Sequence, residues 1–178
     1  MSYQSVLDFW FKELSEKQWF IKDAELDNSI KQRFSALHSQ AGLGELSVWR
    51  ESPKGALAEI ILLDQFSRNM FRGNDKSFAF DSLALILAQE MLRRRDHEVL
   101  SASEFDFLMM PFMHSESAIV HNMAAPYFAL SNNDGLKTFE EKHFDIIKRF
   151  GRYPHRNTLL NRESTPEELA FLVDNPGF

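Results

Sequence analysis

Pro53-Lys54-Gly55-Ala56-Leu57-Ala58-Glu59-Ile60-Ile61-Leu62-Leu63-Asp64-Gln65-Phe66-Ser67-Arg68-Asn69-Met70-Phe71-Arg72 is the stretch on which the fold turns. Ser52 precedes it as an N-cap, and Pro53 suits the first helical position, where its missing N–H is no loss. The stretch reads as one helix to about residue 71, stopped by Gly73. Its middle, 56–63, is apolar on nearly every side, so the helix is central and buried. Something must surround it, and the rest of the chain offers helices.

Before it, residues 6–14 carry Val6, Phe9 and Trp10 at helical spacing, with Ser5 and Asp8 as a capping-box pair. Residues 24–41 carry Leu26, Ile30, Phe34 and Leu37, and Gly42 and Gly44 end that helix. After it, residues 81–95 place Leu83, Ile86, Leu87 and Met91 on one stripe. Ser101 and Glu104 open a short helix that Pro111 should terminate. Residues 117–130 form the next helix, kinked at Pro126, and Asn132-Asn133-Asp134-Gly135 is a turn. Residues 138–151 follow, with Phe139, His143, Ile146, Ile147 and Phe150 on the apolar side. Thr165-Pro166-Glu167-Glu168 opens a last short helix.

Composition agrees. The 178 residues hold 21 Leu and 14 Ala against 16 Val, Ile and Thr together, and only 7 Gly and 6 Pro. Helix formers dominate and β-branched residues are scarce. The expectation is one all-α domain over residues 1–178, of eight or nine helices stacked as antiparallel hairpins through short connections. Seventeen Phe imply a core built on aromatic volume.

Several function classes drop out. Zero Cys excludes disulfides, thiolate metal sites and a thiol nucleophile. The N-terminus lacks the basic and apolar regions of a signal peptide, and no apolar run approaches the ~18 residues of a membrane span. A cytoplasmic protein is expected. A net charge of −6 argues against nucleic acid, and no membrane partner is expected. Charge is uneven, however: residues 143–162 hold Lys148, Arg149, Arg152, Arg156 and Arg162 against Asp145 alone. Such a segment can concentrate a small anion without attracting polyanions. Phosphate loops, His-Glu-x-x-His and Gly-x-Ser-x-Gly are absent.

Three constellations could carry chemistry. In the first, Asp64 and Arg68, Arg68 and Arg72, and Gln65 and Asn69 stand four apart at the polar end of the buried helix. The second is His114 with Glu116, in strongly apolar surroundings at a turn; such a pair can ligate a metal or transfer protons. His121 lies five residues beyond Glu116, a poor helical match for a shared site. The third joins His143 to Arg149, Arg152, His155, Arg156 and Asn157, where Gly151 reverses the chain and Pro154 stiffens it. Arginine forks suit carboxylate and phosphate. The plainer alternative is that these groups pair with one another, the arginines taking acids such as Asp64 and Glu116.

Val-Leu-Asp-Phe-Trp-Phe (6–11), Leu-Asp-Gln-Phe-Ser-Arg-Asn-Met-Phe-Arg-Gly (63–73), Pro-Phe-Met-His-Ser-Glu (111–116) and His-Phe-Asp-Ile-Ile-Lys-Arg-Phe-Gly-Arg-Tyr-Pro-His-Arg-Asn (143–157), in that order, give the chain its resemblance to the bacterial domain-of-unknown-function 924 family. Ser-Thr-Pro-Glu-Glu (164–168) with Phe171-Leu172 extends it, so nearly the whole chain is covered. The resemblance implies a tetratricopeptide-like helical superhelix and no particular activity. Tyr153 stands where Phe is more usual, and Ser67 where Pro is often found, which should leave that helix less kinked.

Three functional readings follow. The first is an internal polar site for a small anionic or carboxylate-bearing ligand, drawing on Asp64, Arg68, Asn69, Arg72, His114, Glu116, His143, Arg152, His155, Arg156 and Asn157. The second is a scaffold that binds a peptide between helical hairpins, its polar cluster purely structural. The third is a metal site of His114, Glu116 and His143, with Asp64 as fourth ligand. A pocket lined by these residues would favour the first reading; full mutual pairing without a cavity would favour the second. No cofactor and no oligomeric state can be read from the sequence.

Overall fold

The computed structural model describes residues 1–175 and 177, and among them it contains eight helices and no strand. These are α1 (Tyr3–Asp8), α2 (Ala24–Gly42), α3 (Pro53–Ile61), α4 (Asp81–Arg93), α5 (Ala102–Met113), α6 (Ala118–Phe128), α7 (Asp134–Phe150) and α8 (Pro166–Asp174). Short 3₁₀ turns join several of them. α3 does not stop at Ile61: a π turn, Leu62–Phe66, and a last α turn, Ser67–Met70, carry it on. α1 likewise runs into a π turn at Phe9–Glu13.

Ser52 Oγ accepts the Gly55 N–H and Pro53 opens α3, as the local sequence requires. Every residue from Gly55 to Leu63 is buried, Glu59 included. Glu59 tolerates burial because Arg50 meets it with two charge-assisted hydrogen bonds of 2.6 and 2.7 Å. Around α3 pack α1, α4 and α5, and its continuation packs on α2. α4 to α7 then pack each on the next. The Phe9, Phe34 and Phe66 rings meet one another, and Trp10 packs on Phe66, so aromatic volume does fill the core between α1, α2 and α3. A smaller cluster of Ile146, Ile147 and Tyr153, with Phe144, Phe150 and Phe171, ties α7 to α8.

The structure corrects the sequence reading in four places, three of them helix boundaries. α1 starts at Tyr3 after Ser2, and Ser5 does not cap it; its hydroxyl donates back to the Ser2 carbonyl. Pro111 does not end α5. It removes one N–H, and the helix continues to Met113 because Phe112 and Met113 are buried by doing so. α7 begins at Asp134, not 138, because Asn133 Oδ1 accepts the Leu136 N–H. Ile86 and Phe139 face solvent rather than the core. The capping boxes at Ser101–Glu104 and Thr165–Glu168 form as read, and Gly151 closes α7 in the left-handed region at φ 69°.

Candidate functional site

α3 delivers its polar end beside the end of α5, and the π turn lies where Asp64 projects. π turns are uncommon and recur at functional sites. Asp64 is fully buried. Its Oδ1 lies 2.8 Å from His114 Nδ1 and 3.1 Å from Arg68, and its Oδ2 accepts from Gln65 at 2.6 Å. Burial alone would raise its pKa, yet the charge of Arg68 and the hydrogen bonds from His114 and Gln65 bring it down to about 2. Asp64 is therefore an acceptor only, and His114 must donate its Nδ1 hydrogen to it. Burial and Arg68 lower the pKa of His114, so its ring is neutral at pH 7. Nε2 is then a lone-pair acceptor. No hydrogen bond to it is formed among the described residues, and the His114 side chain is 16% exposed.

Asp81, at the start of α4, is a member that the sequence reading missed. Arg68 grips it with both nitrogens, at 2.9 and 3.0 Å, and Arg156 reaches the same carboxylate at 3.2 Å. Arg156 comes from the Pro154–Arg156 turn after α7, so three distant segments meet on one carboxylate. Arg156 is only 6% exposed. Its other terminal nitrogen donates to the His114 carbonyl, but its Nε is buried with no partner among the described residues. Phe78 and Tyr153 hold its guanidinium at 4.6 and 4.7 Å, and Phe78 also lies 5.8 Å from that of Arg68.

A second group lies next to the first. Glu116 takes two hydrogen bonds from Arg162 and one from the Tyr153 N–H. Arg162 also donates to the Asn157 side chain, and Asn157 donates to Glu168, which Arg152 grips at 2.7 and 2.8 Å. This group is charge-balanced and closed. The Nδ1 of His143 donates to the Phe139 carbonyl, its ring stands edge-on to Tyr153, and the ring of His155 packs tilted against the same tyrosine. A third pair, His121 and Glu140, is buried at 2.6 Å beside the Tyr153 hydroxyl.

Of the eleven residues singled out from the sequence, Asp64, Arg68, His114 and Arg156 share direct contacts. His143 and His155 frame them through Tyr153. Glu116, Asn157 and Arg152 belong to the neighbouring closed group, with Arg162 and Glu168 as partners that had not been picked. Asn69 and Arg72 turn to Asp27 on α2 and are not part of the cluster. Arg156 pairs with Asp81, not with Asp64 or Glu116. Among the described residues, no three of His, Asp and Glu gather as a metal-binding group, since Glu116 is held by Arg162 and His143 by a backbone carbonyl. Nothing local marked Asp81: at the first position of a helix an Asp is explained by the helix dipole alone. Spacing along the chain does not reveal His121, because its partner Glu140 is 19 residues away.

A family model described as "Bacterial protein of unknown function (DUF924)" matches residues 6–177. A solved structure of a protein of unknown function from Agrobacterium tumefaciens is similar, with a TM-score of 0.89, 37% identity and 97% of each chain covered. A search of curated proteins finds no match to this chain. No helix among the described residues is long and apolar enough to cross a membrane.

Proposed function

The chain belongs to the DUF924 family of bacterial proteins of unknown function, and on that premise we propose that it binds a small anion bearing a carboxylate or phosphate group at Arg156, Arg68 and His114. One observation carries this reading: a buried guanidinium that, among the described residues, has one carboxylate, shared with a second arginine, and keeps one N–H unsatisfied. An unmade hydrogen bond in a dry site costs about 1–3 kcal/mol, more for a charged donor. An incoming oxyanion would satisfy it. The cluster's own charge is balanced, two arginines against Asp64 and Asp81, so a bound anion competes with Asp81 for Arg156 instead of filling a vacant pair.

Thermal unfolding tests the reading. Inorganic phosphate should raise the Tm of the wild-type protein over chloride at equal ionic strength, and the gain should vanish in Arg156→Ala. A ligand of the folded state alone stabilises by RT ln(1 + [L]/Kd), about 2.7 kcal/mol at a hundredfold excess. For a chain of this size that corresponds to roughly 5–10 °C. Phosphate also stabilises by exclusion from protein surfaces, so only the difference between the two proteins counts. Equal gains in both would end the anion reading.

That result would favour the scaffold reading, which has its own observation. Two concavities of about 450 and 500 Å³ lie away from the cluster, one beside His97, Phe105 and Asn133, the other beside Phe139, Arg149 and Phe171. Neither concavity is lined by Asp64, Arg68, His114 or Arg156, and most of the cluster satisfies itself; on the criterion of mutual pairing without a cavity, these observations favour the scaffold reading.

A further inference from the structure

We propose that the concavity lined by α7 and α8 docks an acidic peptide segment of a partner protein, one that carries an apolar side chain between two carboxylates. The proposal rests on the scaffold reading and gives its partner a chemistry; the buried cluster at Arg156 takes no part in it.

Phe139, Lys142, Ile146 and Arg149 follow one another at spacings of three, four and three along α7, so they share one stripe of that helix. All four line a concavity of about 500 Å³, which Phe171 of α8 lines as well. Phe139 is 52% exposed, and a partner side chain laid on its ring would take that surface out of water.

The charges on this stripe are unbalanced. α7 carries four lysine and arginine side chains. Lys137 and Lys148 pair with Asp134 and Asp145, each three residues away, at 3.0 and 2.6 Å. Lys142 and Arg149 pair with no acid among the described residues, and they are the two that line the concavity. Asp145 lies on the same wall but is already held by Lys148. Each unpaired cation rests near a ring: Lys142 5.7 Å from Phe139, and Arg149 4.6 and 5.6 Å from Phe150 and Phe171. A guanidinium placed over rings keeps its N–H edge for a carboxylate.

Spacing selects the class of ligand. Lys142 and Arg149 are seven residues apart, about 10 Å along the helix at 1.5 Å per residue, with Ile146 between them. A single small carboxylate reaches one of the two. A chain with acids seven apart in a helix, or three apart when extended, reaches both and lays the side chain between them on Ile146 and Phe139. Two such cations on a chain of net charge −6 are too few to hold a nucleic acid.

A random peptide library displayed on phage and selected on the full chain tests the proposal. Selected peptides should carry two acids at one of these spacings with an apolar residue between. The tightest of them, labelled for fluorescence anisotropy, should bind the double variant Lys142→Glu, Arg149→Glu at least about tenfold more weakly than the wild type, because two surface attractions become repulsions. Both positions are exposed, so the variant should fold. Arg156→Ala should bind the same peptide as tightly as the wild type; a loss there would move the peptide to the buried cluster and overturn the proposal. Selected peptides without acids, or equal binding to the wild type and the double variant, overturn the acidic chemistry and leave the scaffold reading standing. A selection that enriches nothing overturns both. A wild-type dimer in sedimentation that Phe139→Asp disperses would put a second copy in the groove and overturn the proposal as well.

Discussion

Asp64 has more depending on it than any other single side chain of the cluster. Replacing it with alanine strips His114 of its orienting partner and Arg68 of one of two acids. Breaking a buried ion pair costs about 3–5 kcal/mol, and because Arg68 keeps Asp81 we expect Asp64→Ala near the lower end. Asp75 is exposed in a short turn, so Asp75→Ala should cost less than about 0.5 kcal/mol. Urea midpoints compare them directly, and equal midpoints would contradict the burial of Asp64. The histidines set a second expectation. Burial holds His155 down to about 4 and His143 to about 3. The folded chain keeps both neutral at pH 5, while the unfolded chain takes up protons below about 6.5. The unfolded state then binds more protons, so stability must fall as the pH drops from 6.5 towards 4. Each such histidine removes up to about 1.4 kcal/mol per pH unit. Urea midpoints at pH 7.5 and 5 should show the loss; a midpoint that rises on acidification would refute it.

At the scale of the element, α3 and the turn before it are fitted to one another by a glycine. A Cβ on Gly55 would stand 2.0 Å from the Trp49 carbonyl oxygen, a backbone atom that cannot swing aside. Helix propensity favours alanine over glycine by about 1 kcal/mol. The clash outweighs it, and Gly55→Ala should destabilise by about 1–3 kcal/mol net, the ordinary cost of overpacking. Gly151 provides the contrast. It has open space around its Cβ position but a φ of 69°, so Gly151→Ala should lose only about 1 kcal/mol through backbone strain. Equilibrium unfolding of both variants checks the order; a Gly55→Ala protein more stable than the wild type would show that the helix can shift away from Trp49.

At the scale of the molecule, the described residues hold no strand and are 74% helical. Far-UV circular dichroism should therefore lack the ordinary ~20–25% strand content of a globular protein. A spectrum with appreciable sheet would contradict the fold. The solved structure that is 37% identical over 97% of both chains shares this helical arrangement.

How much was legible without coordinates differs between the elements and the site. Helix 3, its cap at Ser52, the capping boxes at Ser101 and Thr165 and the stop at Gly151 were all readable, because caps and apolar periodicity act over three or four residues. The ends of α1, α5 and α7 were not, since burial of Phe112 and Met113, or a hydroxyl turning back on Ser2, depends on what packs nearby. The site divides the same way. Asp64, Arg68, His114 and Arg156 stood out as polar groups interrupting apolar surroundings, and each needed a partner. Which partner was beyond the chain's local order: Asp81 and Arg156 lie 75 residues apart, and Asn69 and Arg72 could have faced either way until α2 brought Asp27 to them. Side-chain type and spacing say that a buried charge must be compensated, whereas the packing of helices distant in sequence chooses the group that compensates it.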